Sequence, residues 1–226
     1  MNESCVVAID GPSASGKSST AAAVARRLGM IHVDSGALYR ALAWISQEEG
    51  SEDPERILRA AVRAGLNLEP QGGALVVRAD GRDLEEALRT PEVSSGASRV
   101  AAHPLLRDWV NGKLREGVAA AGGAVLDGRD IGTVVFPGAI LKVFLTASPE
   151  ARARRRLLQR GGAVDPDLLR AEAETLAERD RRDAARPVAP LAPATDAIAL
   201  DGTLLSLDEQ VEQIVGLARD RGLPVD

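Results

Sequence analysis

Gly11-Pro12-Ser13-Ala14-Ser15-Gly16-Lys17-Ser18 is the stretch on which the reading of this chain turns. It satisfies the pattern G-x-x-x-x-G-K-[ST] at each defined position, and its setting matters as much as the match. Val6 to Ile9, just before it, is an apolar run suited to a buried strand. Ser19 to Leu28, just after it, is alanine-rich and suited to a helix. A strand–loop–helix unit aims successive backbone N–H groups and the positive end of the helix dipole at one spot, where a polyphosphate can bind. Gly11 and Gly16 let the main chain approach phosphate oxygens closely. Lys17 brings a point charge to the β- and γ-phosphates, and Ser18 offers a hydroxyl to Mg²⁺.

Working outward, strands and helices alternate. Met30 to Val33 reads as a short strand ending at Asp34-Ser35-Gly36, followed by a helix from about Ala37 to Glu49. Asp53-Pro54 opens another helix. The period then changes. Leu66–Leu68, Ala74–Val77 and Arg82–Leu84 read as short strands, with Asp80-Gly81 as a hairpin signal. This antiparallel patch interrupts the alternation as an insertion would. Pro91 and Pro104 open helices, the second running to about Ala120. Strands at Ala124–Asp127, Ile140–Leu145 and Ile198–Leu200 then alternate with helices at Pro149–Arg160, Pro166–Ala184 and Leu207–Arg219. Gly161 to Asp165 reads as a hinge. The expectation is an α/β fold of the P-loop NTPase type. It has a central five-stranded parallel sheet flanked by helices, and ligands bind at the carboxyl ends of the strands.

Composition narrows the function. The chain has 226 residues, 45% hydrophobic and 27% charged, with net charge −5. No global basic field attracts nucleic acid, so anion binding must be local. No apolar run approaches the ~18 residues of a membrane span. MNESCVVAID has no basic n-region, so no signal peptide is expected and the protein is read as cytoplasmic. The single cysteine, Cys5, excludes an intrachain disulfide and is expected as a small buried residue in a strand. His32 and His103 are expected to be structural, and no Cys/His cluster has zinc spacing. Only Lys17, Lys113 and Lys142 are lysines among 28 basic residues, so one of three sits in the phosphate loop.

Asp34 and Asp127 each end a strand at the edge that carries the loop, where an acid can hold Mg²⁺ directly or through water. For Asp127 the Gly-Arg-Asp that follows favours that role. For Asp34, helix cap and metal role remain equally open. Arg40 and Arg129 come off strand ends, where guanidinium forks can grip a second phosphate. Arg152 and Arg156 share a helix face, as do Arg179, Asp183 and Arg186. With the hinge between them, these two helices read as a mobile lid.

Taken together, IDGPSASGKSS (9–19), DSGALYR (34–40), LDGRDIGTVVFP (126–137) and ERDRRDAARPVAPL (178–191) resemble the bacterial-type cytidylate (CMP/dCMP) kinases, within the nucleoside monophosphate kinases. The resemblance implies MgATP binding by Gly11, Pro12, Ser13, Ala14, Ser15, Gly16, Lys17, Ser18 and Ser19, with Arg152 and Arg156 on the ATP side. Which of Arg154, Arg155 and Arg156 meets the phosphates stays open. It further implies that Arg40 and Arg129 hold the acceptor phosphate beside Ser35 and Tyr39. Ser98, Arg107 and Asp130 would read cytosine, Arg179 and Asp183 the ribose, and Arg186 the nucleotide as the lid closes. Lys17, Arg40, Arg129 and Arg156 would be catalytic, and Ser18 and Asp127 would hold Mg²⁺, the acid through water.

The implied organisation is a core of residues 1–34, 122–150 and 187–226, a monophosphate-binding part of 35–121 with its insertion near 65–85, and a lid of 151–186. A monomer acting on ATP and CMP or dCMP is expected. Two departures from the family pattern, GKSS for GKGT and His103 four positions before Arg107, put no motif residue in doubt. Other small-molecule kinases (adenylate, shikimate or dephospho-coenzyme A type) fit the loop but not GRDIG or the insertion, and nothing specific suggests a switch ATPase.

Overall fold

Strand β1 (Val6–Asp10) is buried along its whole length, and its alternating side chains divide two cores. In the computed structural model, which describes residues 5–223, Val6 and Ala8 face one apolar cluster, and Val7 and Ile9 face the other. The first cluster lies under α2 (Ser35–Glu48), α3 (Pro54–Arg63), α4 (Pro91–Val100) and α5 (Pro104–Ala121). The second lies under α1 (Lys17–Arg27) and α8 (Leu207–Asp220). Burial on both faces is what a parallel strand in a three-layer α/β fold requires.

The five parallel strands expected are β1, β2 (Ile31–Asp34), β6 (Ala124–Gly128), β7 (Leu141–Thr146) and β8 (Ile198–Asp201), in the order β2-β6-β1-β7-β8. The insertion contributes β3 (Asn67–Gln71), β4 (Ala74–Ala79) and β5 (Arg82–Asp83), which pair antiparallel with one another. It does not stand apart from the sheet. The start of β4 pairs parallel with β2, His32 opposite Ala74 and Val33 opposite Leu75, which makes one eight-stranded sheet.

Proline punctuation sets the helices. Helices α3, α4, α5, α6 (Pro149–Gln159) and α7 (Pro166–Ala184) all start on proline. There its fixed φ suits the first turn and its missing N–H goes unused. Asp53, Thr90, Ser148 and Asp165 cap four of them. Asp34, one of whose open readings was a cap, makes no capping bond to α2. Cys5 is half-buried and stands just before β1 rather than inside it. The signal-peptide reading rested partly on residues 1–4, which lie outside the described residues. No helix among the described residues is long and apolar enough to cross a membrane.

Register brings the chemistry together. Ile9 and Asp34 both lie opposite Asp127, and Asp10 lies opposite Gly128. The loop after β1, the Asp34 turn and the Gly128-Arg129-Asp130 turn therefore leave the same sheet edge, where strand carboxyl ends in open α/β sheets form ligand crevices.

Candidate active site

A cleft of about 620 Å³ opens at that edge. Gly16 turns the chain into α1 at φ 97°, a conformation that only glycine adopts without strain. Behind it Lys17 is buried, with its ammonium Nζ 3.0 Å from the carbonyl of Pro12. Burial, reinforced by the charge of Arg129, pulls the Lys17 ammonium down to about 7.

Ser18 Oγ donates to Asp127 Oδ2 at 2.5 Å, and His32 Nε2 lies 2.9 Å from Asp127 Oδ1. His32 is therefore more than the structural histidine the sequence suggested. It lines the cleft, and although burial opposes protonation, the hydrogen bond and charge of Asp127 hold its pKa above the ordinary value. Ser18 and Asp127 place a hydroxyl and a carboxylate oxygen side by side, a donor pair that fits Mg²⁺. No group of three or more His, Cys, Asp or Glu side chains among the described residues could cage a metal. A cation here would keep waters and substrate oxygens, as Mg²⁺ does.

Asp34 does not cap. It pairs with Arg40 Nη2 at 2.6 Å, and against the opposing effect of burial that guanidinium holds its carboxyl below the usual range. Ser35 Oγ donates to the Asp127 carbonyl at 2.8 Å, in the space that Gly128 leaves: a Cβ there would lie 2.7 Å from that hydroxyl.

The next turn carries Arg129 and Asp130 and is anchored by a residue the sequence reading missed. Asp10 accepts the backbone N–H groups of Ile131 and Gly132 at 2.9 and 2.8 Å, at the start of a single π-turn over Ile131–Val135. Burial pushes the Asp10 carboxyl up to about 6. Asp130 then pairs with Arg107, which also donates to the Ala101 carbonyl at 3.0 Å and lies over the Tyr39 ring, 5.5 Å from its centroid.

Asp183 on α7 is a hub. It accepts from Ser98 Oγ at 2.6 Å, from Arg129 Nε at 3.2 Å and from Arg186. The arginines of α6 and α7 sort by depth. Arg152 lies behind the phosphate loop, donating to the carbonyls of Ala147 and Ser13 and pairing with Asp180. Arg155 donates to the carbonyls of Ser15 and Gly202, and Arg154 is exposed. Arg156 lines the cleft, and its Nε is buried without a hydrogen bond, as are those of Arg179 and Arg186. Burial, reinforced by Arg129, lowers the Arg179 guanidinium to about 10.

Of the binding and catalytic residues that the resemblance implies, Gly11, Pro12, Ser15, Arg107 and Arg152 stand outside the cleft wall and the rest line it; of the three neighbouring arginines left open, only Arg156 does. Arg152 lies four residues from Arg156 as expected, but its guanidinium is consumed by the protein. Eight cationic side chains line the cleft against four carboxylates, in a chain of net charge −5. Three buried guanidinium nitrogens without partners are donors that an anion with several oxygens would satisfy.

A family model described as Cytidylate kinase matches residues 7–220. This chain belongs to the cytidylate kinase family. It is 45% identical to the cytidylate kinase of Stutzerimonas stutzeri (strain A1501), covering 96% of each chain. It is also 45% identical to the bifunctional pantoate ligase/cytidylate kinase of Prochlorococcus marinus (strain MIT 9313), over 97% of this chain but only 44% of that protein. The chain thus spans less than half the length of the bifunctional relatives and nearly all of the single-activity one. An uncharacterized protein from Eubacterium ventriosum ATCC 27560 shares the fold, at TM-score 0.50 and 13% identity, covering 95% of this chain and 98% of that one.

Proposed function

We propose that this cytidylate kinase family member transfers the γ-phosphoryl group of MgATP to CMP or dCMP, giving ADP and CDP or dCDP. The observation that carries the reading is the trio of unpartnered, buried guanidinium nitrogens of Arg156, Arg179 and Arg186, in one cleft with Lys17 and Ser18. The phosphate loop takes the donor. Arg40 and Arg129, beside Ser35 and Tyr39, take the acceptor phosphate.

The acceptor oxygen is anionic at neutral pH, so the reaction requires no general base. Catalysis reduces to in-line positioning and neutralisation of charge on the transferring group by Lys17, Arg40, Arg129 and Arg156. Bound at Ser18 and Asp127, Mg²⁺ would supply further neutralisation of phosphate charge. Asp130 gives one oxygen to Arg107, and its other oxygen can accept from the exocyclic amine of cytosine. The uracil carbonyl would face that acceptor and be rejected. Arg179 and Asp183 suit the ribose. Water is also a competent acceptor, so α6 and α7 must cover the cleft before transfer.

On this reading residues 1–34, 122–150 and 187–226 form the core, 35–121 the acceptor part and 151–186 the lid. ADP release with MgATP against CMP, dCMP, UMP and AMP in turn tests the proposal. CMP and dCMP should stimulate strongly and AMP should not; no stimulation by CMP would refute it.

A further inference from the structure

Ser13 is the one phosphate-loop residue held on three sides by elements outside the loop. Its N–H donates to Asp180 Oδ1 at 2.9 Å. Its carbonyl accepts from Arg152 Nη1 at 3.1 Å, and the same guanidinium nitrogen pairs with Asp180 Oδ2. Its hydroxyl accepts from Arg129 Nη2 at 2.9 Å. Asp180 and Arg152 therefore clamp both backbone polar groups of one residue of the donor loop. They come from different helices, α7 and α6.

Asp180 is also one helical turn from Asp183, so both carboxylates leave the same face of α7. Asp183 holds Arg129 and Ser98, on the acceptor side. When α7 is seated, one helix grips the donor loop through Asp180 and the acceptor side through Asp183, and Arg129 closes the circuit back to Ser13. Neither the phosphate loop pattern nor the arginine spacing assigns Asp180 any part in this.

We infer that Asp180 is a positioning residue, the latch that fixes the Ser13 peptide when the lid is down and so ties closure to the donor loop. The inference rests on the phosphoryl-transfer reading above. Its consequence is fidelity: without the latch the lid seats on the acceptor side alone, and water reaches the donor more often. The contact is one charge-assisted hydrogen bond with a supporting ion pair, so its loss is on the order of a tenfold effect.

The test compares Asp180→Ala and Asp180→Asn with wild type in two measurements. The first is amide hydrogen exchange of residues 11–16 and 176–184 in the nucleotide-free protein, which needs no activity. Asp180→Ala should speed exchange in both segments about tenfold. Asp180→Asn, which keeps an oxygen for the Ser13 N–H but loses the pair with Arg152, should fall between. The second is the ratio of ADP released to CDP formed with MgATP and CMP. It should rise toward hydrolysis in Asp180→Ala and less in Asp180→Asn, whereas a merely structural defect lowers both products together.

Unchanged exchange would overturn the latch, whatever the activity. So would an unchanged product ratio in an active Asp180→Ala enzyme. A lower KM for MgATP with no added hydrolysis would mean that Asp180 obstructs the loop, and that too would overturn it. Failure of the functional reading is distinct: wild type would make no CDP, while the exchange result would still decide the contact.

Discussion

Asp10→Asn should become less costly to the fold as pH rises, and the size of the change follows from the surroundings of Asp10. The carboxyl ends β1, is 5% exposed, and accepts the N–H groups of Ile131 and Gly132. Burial raises its pKa from the ordinary 3.8 to about 6, overcoming the two hydrogen bonds and the charge of Lys17 that favour the anion. Between these two values the folded protein binds the proton and the unfolded chain does not, so stability falls as pH rises. Two pKa units correspond to about 3 kcal/mol lost by the wild type between roughly pH 4 and pH 7. Asparagine does not titrate, and its amide has one acceptor oxygen, so one of the two N–H groups goes unpaired at about 1–3 kcal/mol at every pH. Urea unfolding at pH 4, 5, 6 and 7 should therefore show the variant less stable at pH 4 and equal to or above wild type by pH 7. A penalty that stays constant or grows with pH would mean that the two N–H donors hold the carboxylate ionised, and would refute the reasoning.

Arg129→Ala should lower kcat with CMP by roughly a thousandfold, about 3–5 kcal/mol of barrier. That side chain joins Ser13 on the phosphate loop to Asp183 on α7, and near-normal turnover would remove it from the proposed mechanism. His32 should titrate above its ordinary 6.5 by NMR, and Asp127→Asn should lower it, because the hydrogen bond and charge of Asp127 overcome burial there. The stability this adds is present below pH 6.5 and lost as pH rises through the folded pKa. Identical titration in the wild type and the variant would count against the pair.

Much of the frame was legible in the sequence because it depends on local rules. Five helices begin at prolines, and the acids Asp34 and Asp127 fall at strand ends that the sheet register aligns. What escaped involves partners far apart in the chain. Asp10 reads as the last residue before a glycine-rich loop, yet its partners lie 121 and 122 residues on. His32 is one polar residue in a short apolar strand until parallel pairing of β2 with β6 brings it beside Asp127. The parallel join of β4 to β2 was equally hidden, since the insertion's turn residues specify its hairpins but not what its free edge meets.

The arginines show the other limit, which is depth. Spacing places Arg152 and Arg156 on one face of α6, and that is correct as far as helical geometry goes. One turn changes the surroundings completely. Near the start of the helix Arg152 is buried against the Ala147 and Ser13 carbonyls and Asp180, so its donors are consumed by the protein. Arg156 reaches the cleft with its Nε unpartnered, where burial and the charges of Arg160, Arg40 and Arg129 lower its pKa. A guanidinium held among like charges gains most from an incoming polyanion, whereas one already paired gains little and must first break its own bonds. The same arginine pattern therefore yields one residue bonded to the phosphate loop and another whose Nε is left unpaired at the cleft. The separation follows from which carbonyls lie within reach of each side chain.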